Sequence, residues 1–166
     1  MRYSTLISAV QLQALIARGD PLVVFDCSFE LMKPLAGDEQ FLESHIPGAV
    51  RANLDRHLSA QPGDGTASGG RHPLPTRETF AAWLGSAGFT NGIQAVVYDR
   101  QGANYCGRLW WMLKWVGHED VRCSTVVCKP GMKPAELSPA GLAPRTNPRL
   151  SNWRPSGPRW LRRLKY

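Results

Sequence analysis

The chain has no apolar run long enough to span a membrane, so no transmembrane helix is expected. It also lacks a basic N-terminal flank followed by an unbroken apolar core, because Gln11 and Gln13 interrupt the apolar residues there. No secretory leader is therefore expected, and the expected location is cytoplasmic. Cysteine is sparse. Cys27, Cys106, Cys123 and Cys128 show neither zinc-type nor redox C-x-x-C spacing, so reduced thiols are expected rather than disulfides or a metal centre. No histidines are paired at metal spacing, and no cofactor is implied. Acidic residues almost vanish after residue 120, where only Glu136 faces 10 Lys+Arg, a net of +9. The first 120 residues hold 10 Lys+Arg and 12 Asp+Glu, a net of −2. The basic pI belongs to the tail, and such a break in composition marks a boundary. We divide the chain into a domain over 1–128 and a basic, Pro/Arg-rich tail over 129–166, expected to be disordered.

What is present before the break reads as alternating strands and helices. Leu6-Ile7-Ser8 suits a short first strand, and Ser8 is placed to cap a helix carrying Val10, Leu12, Leu15 and Ile16. Leu22 to Cys27 is nearly continuous in apolar residues, as a buried parallel strand requires. Phe29 to Gly37 reads as loop, Asp38 to Ser44 as a short helix, and Ala49 to Asn53 as a third strand. Asp55 to Pro75 is a long polar loop, of the kind that is often functional. Thr76 caps a helix with Phe80, Trp83 and Leu84 on its apolar side.

The most informative stretch is 94–118. Ala95 to Tyr98 reads as a buried strand. A polar turn follows, Asp99, Arg100, Gln101, Gly102, Ala103 and Asn104. Tyr105, Leu109, Met112, Leu113 and Val116 then repeat at helical spacing up to Gly117. Strand, tight loop and helix place backbone N–H groups where they attract anions. A fifth strand is expected from Val121. Together these elements predict an α/β fold, a five-stranded parallel sheet with helices on both faces.

Five ordered stretches carry a resemblance: 94–118, Val23-Val24-Phe25-Asp26-Cys27, His45-Ile46-Pro47-Gly48-Ala49-Val50, Asn53-Leu54-Asp55 and Gly70-Arg71-His72-Pro73-Leu74-Pro75. Over residues 5–122 the chain resembles a rhodanese-type domain, and more narrowly the N-terminal, non-catalytic domain of two-domain thiosulfate or 3-mercaptopyruvate sulfurtransferases. The resemblance implies the five-stranded sheet and makes 99–104 the active-site loop. Active members carry there a cysteine that takes up sulfur as a persulfide. Asp99 stands at that position, and a carboxylate cannot accept sulfane sulfur. The chain alone is therefore expected to be inactive, and no catalytic residue is assigned. Thiosulfate or mercaptopyruvate would be a partner only if a second, catalytic domain were present. The structural reading of Asp99 is a cap on the following helix or an acceptor for loop amides.

Two rival readings follow from other residues. Cys106 opens the helix, where a thiol pKa can fall, and Cys27 closes the second strand. Either is a candidate surrogate nucleophile in an active enzyme, against the plainer reading of buried, inert packing. At Ser28 the resembling proteins commonly carry arginine. The resemblance places Arg71 and His72 near a domain interface. His45 and His72 both precede Pro-containing turns, which favours turn or cap roles over general-base chemistry. Arg108 is expected to pair with a carboxylate such as Asp26 or Asp99. The remaining rival is a binding module, either a regulatory rhodanese-like fold or a nucleic-acid binder using the tail, where arginines are interleaved with Trp153 and Trp160.

The tail has another explanation. After the fifth strand the resembling family continues Val/Leu-Leu-Asp-Gly-Gly-Leu-x-Ala-Trp-x-x-Ala-Gly, whereas this chain reads Cys123-Ser124-Thr125-Val126-Val127-Cys128. Back-translated and read from the third base of the Arg122 codon, the genetic code allows the whole family segment in register. We therefore expect one base to be missing near codon 122 and the tail to be translated out of frame. Nucleic-acid binding beyond non-specific attraction by tail charge is not expected.

Overall fold

The computed structural model describes residues 5–90 and 92–124. The expectations for the tail, its boundary and Cys128 fall outside the described residues.

Among the described residues nine elements run in order: β1 (Leu6–Ile7), α1 (Ala9–Arg18), β2 (Leu22–Asp26), α2 (Ala36–Glu43), β3 (Val50–Arg51), α3 (Arg77–Ser86), β4 (Gln94–Tyr98), α4 (Cys106–Trp115) and β5 (Val121–Ser124). The five strands form one parallel sheet in the order β1-β5-β4-β2-β3. Each parallel pair needs a helical crossover, which the alternating pattern supplies. Ser8 closes a capping box on α1, its Oγ accepting from the Gln11 N–H while the Gln11 side chain accepts from the Ser8 N–H. Thr76 caps α3 by accepting from the Thr79 N–H. Among the described residues no helix is long and apolar enough to cross a membrane.

Because strand side chains alternate between faces, the sheet builds two cores. One gathers Phe25, Cys27, Ala95, Val97, Val121 and Cys123 under α3 and α4, whose Phe80, Leu84, Leu109, Met112 and Leu113 are fully buried. The other joins Ile7, Val24, Val96 and Tyr98 to Leu12 of α1 and to Ile46. Helices thus cover both faces. Each fully buried Phe or Leu contributes about 1.5–3 kcal/mol relative to exposure, and Leu12, Phe80, Leu84, Leu109 and Leu113 supply this from the helices, with Phe25 from β2. Of the four apolar residues expected along α1, Val10 is 74% exposed. Leu12 alone is fully buried on that helix, since one short amphipathic helix needs only a narrow stripe here.

Two histidines belong to this packing. His57 lies 5.1 Å from Trp83, ring stacked on ring, and its Nδ1 accepts from the Asn53 N–H. His118 meets Phe89 edge to face. Burial holds both below the usual histidine pKa. The unfolded chain therefore binds protons that the folded chain resists, and stability falls as pH drops below about 6.5. We expect the unfolding free energy to decline between pH 7 and pH 5, and His57→Gln to flatten that decline. A pH-independent urea midpoint in the parent protein over this range would contradict it.

Candidate functional site

Asp26 and Tyr98 are register partners at the carboxyl ends of β2 and β4. The loops that follow, 27–35 and 99–105, therefore lie side by side at one edge of the sheet. Gln101 Oε1 joins them, accepting from the Phe29 N–H at 3.4 Å and from the Arg100 N–H at 3.2 Å.

The 99–105 loop wraps around its own first side chain. Asp99 Oδ1 accepts from the N–H of Gln101 at 2.9 Å and of Ala103 at 2.8 Å. Its Oδ2 accepts from Tyr105 and Cys106, both at 2.8 Å. Asp99 is 3% exposed. The carboxylate thus caps α4 and satisfies the loop at once, using helix-start amides that are otherwise without intrahelical partners. Reaching both pairs of donors requires a left-handed turn, with Gly102 at φ 72° and Ala103 at φ 71°. Arg100 points away from this cradle. Its Nη2 donates to the carbonyls of Gln40 and Ser44 at the end of α2, anchoring the loop to a helix terminus that attracts cations. Gln101 turns back to the neighbouring loop, while Gly102, Ala103 and Asn104 supply backbone to the turn.

Next to the cradle, a partly buried polar network ties β2, α2 and β3. Arg51 donates from Nε to Asp38 Oδ1 at 2.9 Å, from Nη1 to the Asp26 carbonyl at 2.9 Å and from Nη2 to the Ser28 carbonyl at 2.7 Å. Asn53 Nδ2 donates to Asp38 as well. Desolvation alone would raise the Asp38 pKa, but hydrogen bonds from Asn53 and Arg51 together with the nearby guanidinium charge lower it overall. Gly37, in the first turn of α2, makes the close approach possible. A Cβ there would sit 2.2 Å from the Ser28 oxygen and 2.4 Å from Arg51 Nη2. The sequence reading missed Arg51, Asp38 and Gly37. A usable signal was present: an arginine on one strand in parallel register with an aspartate on the next (Asp26↔Arg51).

The thiols are interior. Cys27, Cys106 and Cys123 are free and buried. Burial, followed by the charges of Asp26 and Asp99, raises Cys27 well above the usual thiol pKa. Cys106 is raised by its hydrogen bond with Cys123 and by burial. Its backbone N–H serves Asp99 while its side chain faces the core. Neither thiol is a thiolate at neutral pH, and thiolate is the nucleophilic form. Iodoacetamide should leave Cys27 and Cys106 unmodified in the folded protein and label both in urea, as mapped by mass spectrometry. Rapid labelling of Cys106 without denaturant would contradict this.

Arg71 and His72 lie in a different place from the cradle, on an open pocket of about 420 Å³ whose wall also includes Asp55, Ser59, Gln61 and Asp64. His72 Nδ1 is 3.1 Å from Asp55 Oδ1, and its ring meets Phe29 edge to face. Arg108 does not pair with Asp26 or Asp99. It donates from Nε and Nη2 to the Leu58 carbonyl, and from Nη2 to the His72 carbonyl at 2.8 Å. The α4 helix thereby fixes the pocket loop through backbone acceptors, a role that residue spacing does not encode. His45 is a cap: its Nδ1 bonds the Phe41 carbonyl at 2.7 Å and its ring stacks on Phe41. Trp110 packs against the core, and Trp111, 45% exposed, stacks on Trp115. Among the described residues no group of His, Cys, Asp or Glu is arranged to hold a metal ion.

Set against known proteins, residues 8–125 match the family model described as "Rhodanese-like domain". A Pseudomonas aeruginosa protein named "Probable 3-mercaptopyruvate sulfurtransferase" is 40% identical over 120 residues, 72% of this chain and 41% of that protein. The rat protein named "3-mercaptopyruvate sulfurtransferase" is 38% identical over 108 residues, covering 61% of this chain and 33% of that one. A solved structure of 3-mercaptopyruvate sulfurtransferase from Leishmania major superposes with a TM-score of 0.63 at 27% identity, covering 74% of this chain and 32% of that chain. The chain therefore spans less than half the length of these relatives.

Proposed function

The chain belongs to the rhodanese-like domain family, and from that premise we propose that it is the non-catalytic kind of rhodanese-like domain found in thiosulfate and 3-mercaptopyruvate sulfurtransferases. The observation that carries this reading is the four-amide cradle closed on Asp99. In an active loop of this family, those donors would serve a cysteine sulfur and its anionic substrate. Here the loop's own carboxylate takes all four, presents no sulfur nucleophile, and repels an incoming anion by like charge. The hydrogen bond with Cys123 followed by burial raises the Cys106 pKa, and burial raises that of Cys27, which speaks against either as a surrogate.

Purified chain should transfer no sulfur from thiosulfate or 3-mercaptopyruvate to cyanide or a thiol. Turnover that Cys106→Ala abolishes and Asp99→Ala leaves intact would overturn this reading. In this account Arg71 and His72 are interface residues. The open pocket beside them and the Asp55 clamp on His72 give a second domain a preformed polar wall to meet.

For the region beyond the described residues, we propose the shifted frame. The family match ends at residue 125, within a few codons of the change in charge, and this supports a single event near codon 122. Resequencing the gene tests it. Adding one base there should restore an Asp-Gly-Gly turn and an Ala-Trp helix, followed by a second rhodanese-like domain with a cysteine in its loop. A stop within a few codons of the corrected frame would refute it.

A further inference from the structure

The long loop between β3 and α3 puts four ionisable groups on the wall of one open pocket of about 420 Å³: Asp55, Asp64, Arg71 and His72. Two of them already meet, since His72 Nδ1 lies 3.1 Å from Asp55 Oδ1. The other two do not. Asp64 and Arg71 are both exposed on that wall, yet among the described residues neither forms an ion pair, with the other or with any third group. Asp64 Oδ2 accepts from the Gln61 N–H at 3.3 Å, which fixes the carboxylate to its own turn without neutralising it. Ser59, on the same wall and 7% exposed, keeps an Oγ with no hydrogen-bond partner among the described residues. The backbone that carries these groups is tied from several sides. The Ala60 N–H donates to the Pro73 carbonyl at 2.9 Å, Thr66 and Pro75 form an antiparallel bridge, and Arg108 donates from α4 to the His72 carbonyl at 2.8 Å. A carboxylate and a guanidinium without counter-charges are therefore presented by a closed loop, around a space of the size that takes a small molecule.

We propose that this pocket binds a small zwitterion, an α-amino acid, whose ammonium group meets Asp64 and whose carboxylate meets Arg71. A ligand of one sign fits less well. An anion that reaches Arg71 also faces the carboxylates of Asp55 and Asp64, and a cation that reaches Asp64 also faces the Arg71 guanidinium. A molecule with both charges a few bonds apart gives each wall group its opposite. The planar guanidinium takes a carboxylate through two parallel N–H donors, which sets the ligand's orientation. The ammonium is a compact donor of three hydrogens and suits the single carboxylate of Asp64. The proposal is independent of the chemistry of the Asp99 loop and of whether a second domain meets the same wall.

The test is to titrate the isotope-labelled full chain with serine and follow the backbone amide signals by NMR. Two relatives of serine are titrated beside it: ethanolamine, which lacks the carboxylate, and 3-hydroxypropanoate, which lacks the ammonium. For serine we expect saturable shifts centred on residues 55–75 with a Kd on the order of 1 mM, and for each relative binding weaker by about tenfold or more. Arg71→Gln and Asp64→Asn should each weaken serine by about tenfold while leaving signals away from the pocket in place. The ligand series uses the unmutated chain, so it decides the matter even if a variant fails to fold. Ethanolamine or 3-hydroxypropanoate binding as tightly as serine would make this a site for one charge and overturn the proposal. No saturation by about 10 mM serine, or an unchanged affinity in either folded variant, overturns it as well.

Discussion

Asp99→Ala should lower the unfolding free energy by about 3–5 kcal/mol, read as a shift of the urea midpoint at constant m-value. The substitution removes an acceptor that serves four amides, each at 2.8 or 2.9 Å. Hydrogen bonds to a charged group contribute about 1.5–3 kcal/mol each, and a buried donor left without a partner costs about 1–3 kcal/mol. The sum is not additive, because the loop can open and admit water, so the expected total stays below four separate losses. Asp99→Asn separates charge from shape. It keeps one oxygen for one pair of amides and turns an NH2 group toward the other, so it should lose less than the alanine variant but still more than about 1 kcal/mol. Asp99→Cys should be as unstable as alanine, since a thiol is a weak acceptor and one atom shorter. A loss under about 1 kcal/mol for Asp99→Ala would mean that the carboxylate does not hold the loop together.

Gly37→Ala should be comparably severe, at about 3 kcal/mol or more, with a fall in Tm of at least about 10 °C. Alanine is ordinarily the better helix former, so this predicted sign is opposite to that of propensity. The added methyl would stand 2.2 Å from the Ser28 oxygen and 2.4 Å from Arg51 Nη2, the two atoms of an existing hydrogen bond. Nothing at that contact is a flexible chain end. The oxygen is backbone, and the guanidinium is held by Asp38 and the Asp26 carbonyl. Either α2 moves outward and breaks the Arg51–Asp38 pair, or Arg51 leaves its acceptors inside a protein interior. Calorimetry decides. A Tm within about 3 °C of the parent would show that α2 can slide without penalty.

Much of the fold was legible in the sequence because its signals are local. Ser8, Thr76 and the apolar runs 22–26 and 95–98 specify caps and buried strands with little help from distant residues, and their periodicity implies parallel crossovers. Boundaries drifted where a loop residue joins a helix through tertiary contact, as at Ala36, which begins α2 earlier than the turn residues suggest. Side-chain partners were less legible. Arg108 was expected on a carboxylate but finds carbonyls about 50 residues upstream, a choice made by packing. Gly37 looked like an ordinary loop glycine because the atoms that exclude its Cβ come from Ser28 and Arg51. At Asp99 the residue type suggested a cap or an acceptor for loop amides. That one carboxylate does both at once, gathering Gln101 and Ala103 as well as Tyr105 and Cys106, depends on a left-handed turn that no spacing rule announces.

The closed loop also bears on heredity. Aspartate and cysteine codons differ at more than one base, so a lineage restoring a thiol at position 99 by point substitution would pass through an intermediate residue. The shortest routes run through glycine or tyrosine. Glycine brings no acceptor to the four amides, and tyrosine is too large for a site that holds Asp99 at 3% exposure. Both intermediates would be poorly folded before any chemistry could return. The cradle that stabilises the present loop is thus a ratchet against its own reversal.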